Sequence, residues 1–462
     1  MSKNTLEFDI VVCGAGTAGA GAAYQLARAG KRVALVDRLP FSKAGARWIN
    51  AVAPWQFERA GIDLPKAPET IHEGAPAIME SPGTHARIRI DNAKLWEIDM
   101  RKLARRLQKL ALAAGATGFE KAEIGALELQ GGRPCALSIK TKGKDGEESL
   151  RLQAALFVDA TGFGGVLRGQ VPDLARHCPS VPKEHTCTAA QYVLTIADKE
   201  GALAFLEREH LPRGETLTRL GVDGGFSTHN VFVDRELHHV SLLMGTIADG
   251  THATGPEMIS RWRKENPWAG KVEFGGAGLI PIRRPYDRIA APGIALIGNS
   301  ACQVFPAHGS GIGVGLIAGK IMAETLGAAA DPGSLEATWA YQCAAQREIG
   351  ATLAVSDVFR RASQDFDHAT VDAMIDGGFI TPSTGEAALT QRTATPDAGE
   401  LLTLARGAIR YPGLLAKLIP VGMRGALVSA LYARYPETPD LKKLERWSRR
   451  VARVFGERAD LA

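Results

Sequence analysis

Residues 8–38 read FDIVVCGAGTAGAGAAYQLARAGKRVALVDR. A β-branched run, Ile10-Val11-Val12, leads straight into Gly14-x-Gly16-x-x-Gly19, and an Ala-rich stretch of helical character follows as far as Gly30. A second apolar run, residues 33–36, then closes on Asp37. Strand, glycines, helix, strand and terminal acid stand in the order of the βαβ unit that holds a dinucleotide. Gly14 permits the tight turn, Gly16 lets the backbone approach a pyrophosphate, and Gly19 lets the helix pack on the strand. The helix start at Thr17 and Ala18 offers free N–H groups and the positive end of a dipole to phosphate oxygens. Asp37, with Arg38 beside it, would accept hydrogen bonds from a ribose. A glycine-rich helix entry with no ligand would explain the glycines, but not the second strand and its acid.

The 462 residues are 45% hydrophobic and 23% charged, enough for two or three packed units. A net charge of +5 is too small to argue for a nucleic-acid partner, because basic and acidic residues are interspersed. The opening MSKNTLEFD is polar and runs into the first strand, so no signal peptide is expected. No uninterrupted apolar run reaches bilayer-spanning length. Six cysteines without a CxxC pair read as reduced thiols of a cytoplasmic protein.

Taken in order, residues 39–50, LPFSKAGARWIN, form a loop that would pass back over a bound dinucleotide, which marks Gly45, Arg47 and Trp48; a solvated loop charge is the other reading of Arg47. Residues 51–84 are mixed and Pro-rich, an excursion out of the first domain. From 95 to 115 the spacing of Leu103, Leu107, Leu110 and Ala111 predicts a helix ending at a Gly stop. Runs at 135–139 and 150–152 predict strands joined by a hairpin turn at 142–148. Residues 155–168, ALFVDATGFGGVLR, read as a strand ending in Asp159 and a Gly162 turn. Alternating runs at 191–196, 230–233 and 240–244 predict an antiparallel sheet with one covered face, interrupted by a helix at 201–210. Residues 293–324 return with a strand ending in Gly298-Asn299, a Pro306 loop, and Gly309-Ser310-Gly311 opening a helix at Ile312. Gly311, Gly315 and Gly319 would give that helix a flat face for close packing. From residue 334 the chain reads as helical and basic.

In this order the motifs resemble the FAD-dependent family that contains aromatic hydroxylases, flavin halogenases and geranylgeranyl reductases, and are nearest to geranylgeranyl reductase-like proteins. The resemblance rests on the Gly14/Gly16/Gly19 fingerprint with Asp37, on DATGxxxxLR at 159–168, on Ile280-Pro281, and on GNSAxxVxPxxGSGI at 298–312. It implies an α/β fold: a Rossmann-like FAD-binding domain (residues 1–50, 85–187 and 277–333), an inserted antiparallel-sheet substrate-binding domain (51–84 and 188–276) and a C-terminal helical domain (334–462). It implies FAD as cofactor and a fairly apolar organic substrate, with electrons from an external donor, NAD(P)H or a flavin reductase. Residue by residue, Asp37 would hold the adenosine ribose, Arg101 would reach toward the cofactor, Asp159 and Gly162 would abut it, and Gly298 and Asn299 would meet the ribityl chain. Asn299 stands where the family usually has an acid. Pro306, Gly309, Gly311 and Ile312 would line the isoalloxazine.

Two family features are missing. The Cys-Gly-Gly-Gly loop of geranylgeranyl reductases corresponds here to Ala44-Gly45-Ala46 followed by Arg47, and the aromatic substrate motif corresponds to GGFSTHNVFV from Gly224. The chemistry therefore stays open between C=C reduction, monooxygenation or halogenation, and a non-catalytic flavin binder. His308, in the expected flavin loop, is a candidate proton donor beside Arg47. His177, Cys178, His185 and Cys187 match no familiar zinc spacing, and no metal is expected. The segment from Leu414 to Phe455 reads either as a packed lid over the substrate or as a weak, peripheral attachment to an anionic membrane. The packed lid is preferred, since Pro420, Gly422 and Gly425 are expected to break any continuous helix.

Overall fold

The computed structural model describes residues 5–91, 93–143 and 146–461. Its first unit is a six-stranded sheet in the order Ala290–Ala291, Ile294–Leu296, Leu156–Asp159, Ile10–Cys13, Val33–Val36, Thr117–Phe119, parallel except for the outer Ala290–Ala291. The central strands are apolar along their whole length because helices cover the sheet. The fingerprint helix Thr17–Arg28 packs between Met100–Ala113 and Ile312–Met322. The glycine stripe works as expected: a Cβ on Gly315 would lie 2.9 Å from the Ala18 Cβ, and one on Gly319 would lie 3.0 Å from the Ala22 nitrogen. A four-stranded sheet flanks this unit through the pair Arg133–Gly143 and Gly146–Gln153. The tip of that expected hairpin, residues 144–145, lies outside the described residues.

The second unit is a seven-stranded sheet in the order Ala269–Pro281, Thr186–Ile196, His239–Ile247, Ser227–Val233, Thr216–Leu220, Ala77–Glu80, Arg87–Ile90. Its outer face is covered by the helices Lys199–Arg208 and Gly255–Glu265, with Phe205, Trp262 and Trp268 packed on Leu242 and Met244. The excursion from the first domain therefore extends past residue 84, because Arg87–Ile90 pairs with Ala77–Glu80, and the sheet continues to Pro281. Ala269–Pro281 is the longest strand and carries no alternating signal, since Gly270, Gly275, Gly276 and Gly278 stand in place of side chains.

A three-stranded sheet, Ile49–Val52, Trp96–Asp99, Thr70–Glu73, lies between the two units. Here the helix expected from residue 95 begins later, at Met100. Trp96–Asp99 is a strand, and the Asp99 carboxylate accepts the Arg101 N–H as an N-cap.

Helices from Leu335–Ala345 to Leu441–Phe455 complete the chain. The expected break at Pro420 does not occur: Pro412–Ala433 is one helix of 22 residues. A proline crowds the carbonyl four residues back, and that residue, Ala416, is exposed, so its carbonyl can turn to water. Val421, Gly425, Val428 and Tyr432 bury the other side, with a Cβ on Gly425 3.5 Å from the Phe359 ring.

Candidate functional site

The fingerprint turn is built as tightly as its glycines demand. Gly14 has φ +107°, and a Cβ there would lie 2.1 Å from the Ala160 carbonyl oxygen. A Cβ on Gly19 would lie 1.9 Å from the Gly14 oxygen. Gly45, with φ +83°, brings the returning loop over the fingerprint, so that a Cβ on Gly16 would lie 3.3 Å from the Gly45 Cα. Gln108 fixes this loop, its Nε2 donating to the carbonyls of Ala15 (2.8 Å) and Phe41 (2.9 Å). Asp37 does local work: Oδ2 accepts the Ala15 N–H at 2.7 Å and Oδ1 the Leu39 N–H at 2.8 Å. Arg38 beside it is exposed.

Asp159 is fully buried and ties the following turn together. Oδ1 accepts the Thr161 N–H and hydroxyl at 3.0 and 2.6 Å, and Oδ2 the N–H groups of Leu167 and Arg168 at 2.9 and 2.7 Å. Gly162 carries φ +81° with open space where a Cβ would point. Arg168 crosses to the next strand's loop, donating to the Ser300 carbonyl at 2.7 Å. Gly298, with φ +69°, faces Ala18 on the fingerprint helix, and Asn299 follows, half-buried, its Oδ1 3.6 Å from a Cβ built on Gly311. Gly298, Asn299, Gly311 and the start of Thr17–Arg28 thus come together, although up to 297 positions of sequence separate Gly14 from Gly311.

The two helices that begin here share one property. Thr17–Arg28 and Ile312–Met322 start at Gly16 and Gly311 with no side-chain cap. Ala351–Gln364 and Pro412–Ala433 also start without one, whereas Asp99, Asp198, Thr254, Ser334, Asp397 and Asp440 cap their helices with side-chain oxygens. Uncapped N–H groups at a helix start favour an anion or carbonyl oxygen, and glycines without a Cβ leave room for one. This cradle, with its uncapped N–H groups and the room left by the missing Cβ atoms, fits a dinucleotide.

The other expected residues fall at different distances from this cradle. His308 stacks on Phe305, ring centroids 4.7 Å apart, and is exposed. Pro306 is buried behind it. Arg47 is exposed and donates to the Ser42 carbonyl at 3.1 Å. Arg101 pairs bidentately with Asp99, at 2.9 and 2.7 Å, and lies 3.6 Å over the Phe274 ring of the large sheet. His185 faces Arg360, and Cys178 and Cys187 are buried thiols. Among the described residues no three His, Cys, Asp or Glu side chains gather around a metal position. Trp48, marked only as a loop residue, lies on the large sheet, its ring 3.4 and 3.6 Å from Cβ positions built on Gly276 and Gly278.

Residues 9–170 match the family described as FAD dependent oxidoreductase. The chain is an FAD-dependent oxidoreductase. Over its whole length the oxidoreductase is similar to digeranylgeranylglycerophospholipid reductase of Sulfolobus acidocaldarius, 25% identical with 98% of each chain covered. In fold it is similar to a geranylgeranyl bacteriochlorophyll reductase-like protein of Thermoplasma acidophilum, with TM-score 0.70, 18% identity, and 90% and 100% of the two chains covered. It is also similar in fold to the flavin-dependent brominase Bmp2, with TM-score 0.61, 12% identity, and 88% and 99% covered.

Proposed function

We propose that the oxidoreductase reduces C=C bonds of an apolar, isoprenoid-type substrate. The observation that supports this is the uncharged inner face of the large sheet, which is turned toward the cofactor unit. The inner face of the large sheet presents Ala189, Gln191, Leu243, Asn230 and Gly276, none of them charged. The helix Pro382–Thr390 closes it from the C-terminal side: Gly385 packs on Ile90 and Met79, and Thr390 accepts the Trp55 indole N–H at 2.9 Å. Such a wall suits a hydrocarbon, in keeping with the full-length likeness to a reductase of geranylgeranyl lipids.

In this reading Gly14, Gly16 and Gly19 with the N–H groups of Thr17 and Ala18 hold the pyrophosphate, and Asp37 and Arg38 border the adenosine ribose. Gly298 and Asn299 meet the ribityl chain, and Pro306, Gly309, Gly311 and Ile312 border the isoalloxazine. FAD, when bound, supplies hydride transfer. Asp159 and Gly162 shape the turn, while Arg101 and Trp48 fix the large sheet against the cofactor unit. The electrons come from an external donor, a nicotinamide or a flavin reductase.

The apolar substrate also bears on where the protein works. Helices Ala398–Arg410 and Pro412–Ala433 expose Leu401, Leu402, Ile409, Ile419, Met423 and Leu427. Between residues 401 and 434 five cations, Arg406, Arg410, Lys417, Arg424 and Arg434, stand with no acid. Pro412–Ala433 is long and apolar enough to cross a membrane by length and composition. With its other side packed on the protein and cations along it, the fit is to lying on an anionic bilayer from the cytoplasmic side.

A monooxygenase reading has the fold likeness to the brominase behind it. Anaerobic incubation of the reduced protein with a polyprenyl lipid separates the two. Saturated product without oxygen supports reduction, and a product formed only with oxygen overturns it.

A further inference from the structure

Glu97 occupies the middle strand of the three-stranded sheet, opposite Ala51 on one side and His72 on the other. Side chains alternate along a strand: Ile98 is fully buried in the main core, so Glu97 and Asp99 face the opposite way. That face is laid over the inner face of the seven-stranded sheet by contacts on all sides of Glu97. The Ile49 N–H donates to Gln191 Oε1 at 3.0 Å, the His72 ring stacks on Phe232 at 4.5 Å, and Arg101 covers Phe274 at 3.6 Å. From Ala51 the chain runs into Gln56, whose side chain fills the space beside Gly313, the second residue of the helix Ile312–Met322. Glu97 therefore faces the large sheet from a strand whose neighbour, Ile49–Val52, meets the helix Ile312–Met322 of the cofactor unit.

Its neighbours leave it alone. Asp99 is held by Arg101 and Lys102, whereas the Glu97 carboxyl has no hydrogen bond or ion pair among the described residues. The adjoining strand of Ile49 and Ala51 brings no ionisable group. His72 on the other strand is turned to Phe232, and the facing positions Gln191, Ser241 and Phe232 are uncharged. Glu97 is half-buried, open to the space between the two sheets.

We propose that Glu97 is a catalytic residue, the proton donor to the substrate; the assignment rests on the C=C reduction reading. Saturating an alkene takes a hydride equivalent and a proton: reduced FAD provides the first to one carbon as the π bond breaks and is itself oxidised. The other carbon takes the proton from the Glu97 carboxyl oxygen, forming the second C–H bond. The carboxylate left behind regains a proton from water, and the external two-electron donor restores the reduced cofactor. An acid working near neutral pH needs a pKa near the operating pH. With burial as its cause, the Glu97 carboxyl is pushed up to about 7. His308, the donor expected from the sequence, is exposed beside Phe305, whereas Glu97 faces the large sheet.

Two measurements test this. In pH-difference infrared spectra of the protein without substrate, the wild type should show a protonated carboxyl titrating near neutrality, and E97Q should lack that band. In anaerobic stopped flow, E97Q loaded with FAD should accept electrons from dithionite as the wild type does. Reoxidation of the reduced protein by digeranylgeranylglycerophospholipid in detergent should slow roughly 100-fold, with Glu97→Asp partly restoring it. Equal FAD content and melting temperature show that both variants fold. Reoxidation of E97Q within about twofold of wild type, or no titrating band lost, overturns the assignment while leaving alkene reduction standing. A wild type that saturates no alkene overturns the reduction reading itself and the donor role with it.

Discussion

The cofactor unit and the C-terminal helices obey opposite rules of burial. In the first, Ile10, Val11, Val12, Leu35, Phe157 and Val158 are fully buried and charge lies at the surface or in turns. In the second, charge is inside and apolar surface outside. Asp357 and Arg360 are at most 1% exposed, as are Arg284 and Asp287 on the segment they meet before Ala290–Ala291, while Ile409 is 83% and Met423 69% exposed. The buried charges form one network across the junction: Arg284 pairs with Asp287 and, at 2.8 Å, with Glu457; Arg361 meets Glu457 at 2.7 Å; Arg283 meets Asp460 at 2.9 Å. Burying ions gives little net stability over apolar packing, but it punishes any displacement that leaves one charge unpaired. The C-terminal helices are thus held in one position by charge, and the apolar side chains they turn outward are left for another apolar phase.

The largest effect is expected where the first rule is broken. Gly16→Val places branched carbons against Gly45, where the first Cβ already has only 3.3 Å, and in the path of the pyrophosphate. FAD affinity should fall by about 3 kcal/mol or more, roughly 100-fold, with a cooperative melt retained. Flavin absorbance after desalting checks it; a folded variant that keeps full FAD overturns the placement of the pyrophosphate.

The second rule is tested by Glu457→Gln. Burial by itself would raise this carboxyl, but Arg284 and Arg361 outweigh burial and hold it at about 2, against an ordinary 4.5. A depressed carboxylate stabilises the fold above its unfolded pKa and loses that contribution as pH falls through its folded value. The wild type should therefore lose stability between pH 4.5 and about 2, and E457Q should lose less over that window while being about 2 kcal/mol less stable at pH 7. Denaturant melts across that range measure both.

A smaller change is expected at the outer face. Replacing Ile409 and Met423 by Glu should leave the melting temperature unchanged and weaken co-sedimentation with phosphatidylserine-containing vesicles about tenfold; raising salt should weaken the wild type too, because cations near an anionic surface contribute about 1 kcal/mol each. No binding by the wild type at low salt would leave the exposed side chains without the partner proposed for them.

The contrast between the two regions also explains what could be read from the sequence. The βαβ unit is legible because glycines at 14, 16 and 19 stand at a fixed spacing that close backbone contacts with Ala160, Gly45 and Gly14 require, and Gly315 and Gly319 announce their flat face by spacing alone. Asp37 and Asp159 stand out in the sequence as acids at strand ends, but their hydrogen bonds to backbone N–H groups leave no trace in residue type. The strand Ala269–Pro281 was hidden by its glycines, and Glu97 lay in a stretch whose pattern merges with the helix that follows. The continuous helix through Pro420 is hidden in the sequence because Pro420, Gly422 and Gly425 all argue for a break, and only the packing of Val421, Val428 and Tyr432 outweighs them. Exposure of Ile409 and Met423 depends on which neighbours the helices find, and an apolar residue looks the same in sequence whether it is covered or not.

The smallest effect sharpens the boundary of the cofactor unit. Asn299 is half-buried, and its amide oxygen lies next to Gly311, at the start of a helix that has no side-chain cap. Asn299→Asp keeps the shape and adds one negative charge near the positive end of that helix. A charge in the first turn interacts with the dipole by about 0.3–1 kcal/mol, so the melting temperature should hold or rise slightly. The same charge beside the ribityl chain would oppose the negative charge that reduction brings to the ring, so the reduction potential should fall modestly and FAD affinity change by less than about fivefold. Spectroelectrochemistry of the two proteins at matched pH compares the potentials. A shift in potential with unaltered stability places Asn299 on the cofactor, as its position between Gly298 and the uncapped helix suggests. A change in stability with no change in potential makes it a residue of the helix start alone, and the ribityl chain would then have to pass on the Gly162 side of the turn.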